Sequence, residues 1–230
     1  MSEGNSFTRF RTLYPHQPPG RRTNFAVVAS LTLLLTVVLV TLWLWLWFKA
    51  QEKPYVETKG YRIASEESFK SFLRNGNNRA QVKALSDYLE SRGLSEVTAV
   101  SNLLRQGEEW LELEKPAFAL PPQGEWSKMA DTLKLLREQV VPLIGPVAVI
   151  SGFRSDSYNR ELEHSDKARH RAFCALDLIP TSNISHGELV EELQALHARL
   201  GPESRFGLGL GNGVLFHIDT CGYRTWQLMD

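Results

Sequence analysis

Between Phe25 and Phe48 the chain reads FAVVASLTLLLTVVLVTLWLWLWF, 24 residues without a charge. At about 1.5 Å rise per residue, a helix of this length crosses a hydrocarbon layer about 30 Å thick with some tilt. A cleaved signal peptide would carry a shorter apolar run followed by small residues at a cleavage site. Here the run closes on Trp43, Trp45 and Trp47, the residue type that anchors a span at the membrane interface. The pattern predicts an uncleaved transmembrane anchor.

Past residue 60 the apolar positions recur at helical spacing. Phe69, Phe72 and Leu73 mark a short helix from Ser65 to about Asn75. Val82, Leu85 and Leu89 mark a second, with Gly93 as its C-cap. SEVTAVSNLLRQGEEW predicts another short helix, opening at Ser95 and ending near Gly107. FALPPQGEW reads as a loop. SKMADTLKLLREQVVPLIG predicts an amphipathic helix capped by Ser127, with Met129, Leu133, Leu136 and Val140 on its apolar face and Pro142 near its end. The period then changes. PVAVIS and CALDLI are short strand-like runs, with SGFRSDSYNRELEH leading into a helix between them. SHGELVEELQALHARL carries a capping box, Ser185 with Glu188. FGLGLGNGVLFHIDT reads as a glycine-rich turn and a last strand. GLGLGNG lacks the following helix of a dinucleotide fingerprint. Helices followed by strands with a helix between them predict an α+β domain built on a small antiparallel sheet.

Charge adds an orientation. The whole chain balances 26 basic against 26 acidic residues, so no basic footprint for nucleic acid exists. Residues 1–24 hold Arg9, Arg11, Arg21 and Arg22 against Glu3 alone. Lys49 and Lys53 follow the span, diluted by Glu52 and Glu57. The positive-inside rule then expects the N-terminus in the cytoplasm and the remainder outside, in the periplasm if the source is a bacterium. Four segments follow: a disordered Pro- and Arg-rich tail (1–24), the anchor (25–48), a polar juxtamembrane linker (49–75) and a folded domain (76–230, core 145–230). In an oxidising compartment Cys174 and Cys221 form either a disulfide or two buried thiols. Each lies four residues beyond a histidine of interest, His170 and His217.

Strand alternation puts Leu215, His217 and Asp219 on one face of VLFHID, and Ala175, Asp177 and Ile179 on one face of CALDLI. His170 enters just before the second of these runs. A carboxylate placed between Leu176 and Leu178 needs a partner. Two neutral imidazoles and one carboxylate with an open fourth position compose a catalytic zinc set. A hydrogen-bonded structural carboxylate is the plainer alternative.

The order of these segments resembles the zinc D-Ala-D-Ala carboxypeptidases and peptidoglycan endopeptidases, a group that extends to lysostaphin-type enzymes and the hedgehog signalling domain. The resemblance is specific over Val147–Trp226 and looser over 79–146. The family's S-G-Y-R-S stands here as Ser151-Gly152-Phe153-Arg154-Ser155. Its S-x-H-x-x-G-x-A-x-D stands as Ala168 to Asp177, with Ala168 and Phe173 in place of the serine and glycine. Its F/V-H-V-D stands as Phe216-His217-Ile218-Asp219. The resemblance implies the hedgehog/D-Ala-D-Ala peptidase fold, Zn2+ as cofactor and peptidoglycan peptides as substrate. It implies His170, Asp177 and His217 as metal ligands and Arg154 as the group that grips the substrate carboxylate or oxyanion. Relatives place a proton-transfer group two or three residues before the last histidine. Leu215 and Val214 stand there instead. Asp219 is therefore the expected catalytic base, with Glu161, Glu163 and Asp166 as substitutes. Ser151, Tyr158 and Asn159 are expected to bind substrate, Tyr223 to line the cleft and Trp226 to close the core. His164 is expected in a solvated loop, and His186 and His197 in structural roles. The rival expectation is a catalytically impaired, zinc-containing module that binds peptidoglycan or a protein partner.

Overall fold

The computed structural model describes residues 22–51, 53–162 and 168–228. The chain divides into two units, Met1–Glu52 and Lys53–Asp230. The tail expected to be disordered lies outside the described residues up to position 21. From there the first unit is one helix, α1 (Arg22–Gln51). Its stretch Asn24–Ala50 is long and apolar enough to cross a membrane, and none of it is buried within the protein. The hydroxyls of Thr32, Thr36 and Thr41 bond back to the carbonyls of Val28, Thr32 and Val38 at 2.8, 2.8 and 2.9 Å, which satisfies the three donors within the helix itself.

The second unit begins earlier than expected. The stretch read as a linker contains a hairpin, β1 (Tyr55–Thr58) and β2 (Tyr61–Ala64), and then α2 (Glu66–Leu73). Lys59 and Gly60 make its two-residue turn with φ of 51° and 88°, the doubly left-handed loop that matches strand twist. Ser65 caps α2 through the amide of Ser68. α3 (Asn78–Glu90) ends in the foreseen glycine cap: Gly93 and Leu94 return their amides to Glu90 and Leu89. The helix expected to open at Ser95 is reduced to α4 (Val100–Leu103).

α5 (Trp126–Leu135) starts one residue before Ser127, out of a 3-10 turn at Gln123–Glu125. The foreseen cap Ser127 thus lies inside the first turn. α5 runs through a π-helical segment, Leu136–Val140, into α6 (Val141–Ile144). The wider turn falls just ahead of Pro142, which lacks the amide a regular α-helix requires.

β3 (Val147–Ser151), α7 (Asp156–Glu161), α8 (Ala168–Arg171), β4 (Ala175–Pro180), α9 (His186–Leu200), β5 (Gly207–Leu210), β6 (Phe216–Asp219) and β7 (Arg224–Gln227) complete the unit. Ser185 and Glu188 form the expected capping box on α9. The five strands lie in the order β3-β4-β6-β5-β7. The class is α+β with a small antiparallel sheet; the edge strand β7 departs from it by running parallel to β5. GLGLGNG is only partly the turn it was read as, because Gly207–Leu210 is a strand buried along its whole length.

Alternation divides the sheet. Leu176, Leu178, Phe216, Ile218 and Leu208 join the apolar core, against which α5 and α9 pack. The opposite face carries Asp177, His217 and Asp219. A disulfide joins Cys174, just before β4, to Cys221, just after β6. Closing a loop with a sequence separation of 47 stabilises the fold by about 4 kcal/mol in the chain-entropy picture.

Candidate metal centre

The β4–β6 register sets Asp177 directly opposite His217. α8 packs on β4 and brings His170 onto the same polar face. One atom from each residue meets the other two. His217 Nδ1 lies 2.8 Å from Asp177 Oδ1, and His170 Nε2 lies 3.2 Å from both. Two ligands held tetrahedrally at about 2.0–2.1 Å from zinc stand about 3.3 Å apart. The two 3.2 Å separations match that spacing; the 2.8 Å one is a hydrogen-bond length that would widen by about half an ångström around an ion. The residues are 1%, 8% and 3% exposed in the order His170, Asp177, His217.

The hydrogen bonds behind these atoms decide which way each side chain faces. His170 Nδ1 donates to the carbonyl of Gly152 at 2.6 Å, which leaves the Nε2 lone pair toward the cluster. Gly152 approaches the chain at Leu103 so closely that a side chain there would strike the Leu103 carbonyl. His217 Nε2 donates to Asp219 Oδ2 at 3.2 Å, so Nδ1 is the nitrogen turned inward. Asp177 divides its carboxylate: Oδ1 faces the histidines, and Oδ2 takes the Arg154 Nη2 bond at 2.5 Å. Arg154 Nε bonds the Gln106 carbonyl at 2.7 Å and Ser151 Oγ at 2.9 Å.

Without a metal, protons settle around this geometry. Burial, with Arg154 beside it, pushes His170 down to about 4. Burial opposes charge on His217 too, but Asp177 and Asp219 together raise its affinity for a proton. Burial would raise Asp177, yet His170, Arg154 and His217 hold it well below the usual carboxylate range. A proton on His217 Nδ1 thus occupies the position a cation would take. The linkage has a definite sign. The unfolded chain protonates His170 near pH 6.5 and the folded chain near 4. Stability from the neutral imidazole is therefore whole above the first value and lost as pH falls toward the second, by up to about 1.4 kcal/mol per pH unit. His217, raised above the same ordinary value, opposes this slope near pH 6.5; well below that value it is protonated in both states and adds none. Thermal melts of the metal-free protein should fall from about pH 5.5 to about pH 4.5, below the range where His217 opposes His170; a flat midpoint there would contradict the placement of His170.

The other expected site residues divide. Asp219 is fully buried and lies behind the His217 ring, on the nitrogen away from the cluster. There it also accepts the Cys221 amide at 2.8 Å and both terminal nitrogens of Arg224. Burial alone would raise its carboxyl, but His217, the Cys221 amide and Arg224 hold it below the ordinary range. From there it fixes the orientation of the His217 ring. Arg154 is committed to Asp177 rather than open toward a substrate. Ser151 is buried, with its hydroxyl on the Gln106 carbonyl. Tyr158 is buried and donates to Glu109 at 2.9 Å. Neither Ser151 nor Tyr158 can touch a substrate from there. Asn159 is half-buried. Tyr223 stacks on His197 at 4.1 Å instead of lining a cleft. Trp226 packs edge-on against His217 at 4.9 Å. His186 bonds the Gly213 carbonyl at the start of α9. Glu161 pairs with Lys115 at 3.1 Å. Glu163, His164 and Asp166 lie outside the described residues.

Gln106 was not singled out in the sequence, and it is the hub beneath Arg154. Its carbonyl takes Ser151 and Arg154, and its Oε1 takes the amide and hydroxyl of Ser155. No local pattern marks it. A surface cleft of about 530 Å³ runs past Leu120, Lys128, Phe153, Arg154, Asp156 and Arg171; none of His170, Asp177 and His217 lines it. No family profile, curated protein or solved structure matches the chain.

Proposed function

We propose that the chain is a single-pass, membrane-anchored zinc metallopeptidase of the hedgehog/D-Ala-D-Ala peptidase type that hydrolyses D-amino-acid-containing bonds in peptidoglycan peptides. The convergence of His170 Nε2, Asp177 Oδ1 and His217 Nδ1 carries this reading. A second feature supports the resemblance. Phe173 occupies the family's glycine position and holds φ of 50°, the left-handed conformation that glycine favours. The disulfide suits an oxidising compartment, and the arginines ahead of α1 favour an N-terminus in the cytoplasm. The domain then faces the cell wall from the inner membrane, and anchoring suits a substrate that cannot diffuse.

In this reading His170, Asp177 and His217 hold the ion. When bound, zinc supplies Lewis acidity toward a peptide carbonyl and brings the acidity of water near neutrality. The chain's own groups prepare that site. The Gly152 carbonyl and Asp219 each fix one imidazole, and Arg154 holds Asp177 by the oxygen the histidines do not use.

One observation favours a second reading, a zinc-containing domain that binds stem peptides without cleaving them. Val214 and Leu215 occupy the positions of the family's proton-transfer group, and Asp219 faces away from the cluster. The full-length protein in detergent, assayed for metal and then incubated with muropeptides, separates the two by mass spectrometry of the products. Released D-alanine marks a carboxypeptidase, and split cross-links mark an endopeptidase. Binding without products from zinc-loaded protein leaves the module. A chain that takes up no metal sinks both.

A further inference from the structure

Three strands of the sheet place His217 under a control that lies two strands away. In the β5–β6 register Gly207 faces Asp219 and Gly209 faces His217. In the β5–β7 register the same glycines face Arg224 and Trp226. Two rows therefore cross the sheet: Asp219–Gly207–Arg224 and His217–Gly209–Trp226. The middle member of each row has no side chain. A Cβ at Gly207 would collide with the Asp219 carboxylate and come within 2.9 Å of Arg224 Nη1; one at Gly209 would come within 2.8 Å of the Trp226 ring. The alternating glycines of β5 open a slot through which β7 side chains reach those of β6.

Arg224 makes two contacts, one of them through the slot. Its Nη2 and Nη1 donate to Asp219 Oδ2 and Oδ1 at 2.9 and 3.3 Å. Its guanidinium also lies 4.3 Å from the centre of the Trp226 ring, which in turn packs against the His217 imidazole. The arginine thus holds both neighbours of the imidazole, the carboxylate on its Nε2 and the indole at its side. It is 30% exposed, whereas Asp219 is fully enclosed.

We propose that Arg224 is a positioning residue for the metal centre: by gripping Asp219 across the glycine slot and Trp226 along its own strand, it keeps His217 Nε2–H on Asp219 and so presents Nδ1 to His170 and Asp177. The proposal rests on the metal-centre reading above, but part of its test does not need a metal. Carboxylates behind ligating histidines typically change metal affinity by about 10–100-fold.

The experiment compares the parent, Arg224→Gln and Arg224→Lys as full-length chains in detergent. The first readout is the His217 Nε2–H proton in nitrogen-labelled, metal-free protein. It is expected as a downfield, slowly exchanging signal in the parent and lost or fast-exchanging in Arg224→Gln. The second is Co2+ binding against a competing chelator. Arg224→Gln is expected to weaken it about 10–100-fold and alter the visible absorption of the bound ion. Arg224→Lys keeps the charge but not the fork, so its affinity should fall between the two. If Arg224→Gln does not fold, Arg224→Lys carries the comparison alone, with the same signal and affinity displaced from the parent values. Parent-like Nε2–H exchange and Co2+ affinity in both variants would overturn the proposal. A parent that holds the Nε2–H signal but takes up no Co2+ removes the metal reading while the positioning of the imidazole stands.

Discussion

Changing His170 to alanine is expected to take bound zinc from one ion per chain to none, and muropeptide cleavage with it. The substitution deletes Nε2, the atom 3.2 Å from each of the other two donors. Asp177 and His217 remain, but two donors do not hold zinc in competition with water and buffer. The fold should survive. What the mutant leaves behind is the Gly152 carbonyl without its 2.6 Å partner, a cost of about 1–3 kcal/mol for a buried acceptor. The acid-dependent loss of stability described above should disappear as well, because its titrating group is gone. His186→Ala is the matched control, since His186 is exposed and bonds only the Gly213 carbonyl among the described residues. Elemental analysis of both variants and the parent, after dialysis against a weak chelator, reads the outcome. Full zinc stoichiometry in His170→Ala would remove the residue from the ligand set.

How far the sequence foretold this arrangement depends on whether the signal was local. α1, α3 and α9 announce themselves through uninterrupted apolarity, helical spacing and caps, all confined to a few neighbouring residues. β3, β4 and β6 were legible for the same reason, and alternation correctly put Asp177 and His217 on inward-facing polar positions. The β1–β2 hairpin was missed because Lys59 and Gly60 form a tight loop inside a stretch whose polar composition reads as linker. β5 was missed because its glycines suppress strand propensity, and their purpose lies in β6 and β7 rather than in the segment itself. The meeting of His170, Asp177 and His217 was legible only through the order of motifs, since alternation assigns a face but not a neighbouring strand. The side of the ring on which Asp219 sits has the same root. Asp219 does share a face with His217, as expected. Which ring nitrogen it touches follows from the rotamer that Gly209, Trp226 and Arg224 impose, and no spacing in FHID encodes that.

Arg154→Leu should produce the largest loss of stability of any single change at the site, and zinc should reverse much of it. Arg154 is 5% exposed, and its Nη2 contacts Asp177 Oδ2 at 2.5 Å. Removing one partner of a buried pair strands the other charge, at a cost of about 3–5 kcal/mol. For a domain of this size that corresponds to a drop on the order of 10 °C in the melting midpoint. The Gln106 carbonyl, bonded to Arg154 Nε at 2.7 Å, loses a donor in the same step but keeps Ser151. Two further measurements give the loss its meaning. In the double variant Arg154→Leu/Asp177→Leu the stranded charge is gone, and apolar packing should recover most of the metal-free stability. In the single variant, saturating zinc should narrow the gap to the parent, because an ion shared by Asp177 Oδ1 and the two histidines restores the missing positive charge. The double variant, which lacks Asp177, should gain nothing from zinc. If zinc stabilises the parent and Arg154→Leu by the same increment, the ion does not depend on the charge state of Asp177. The carboxylate would then be a structural partner of Arg154 alone, and the ligand set would reduce to two histidines.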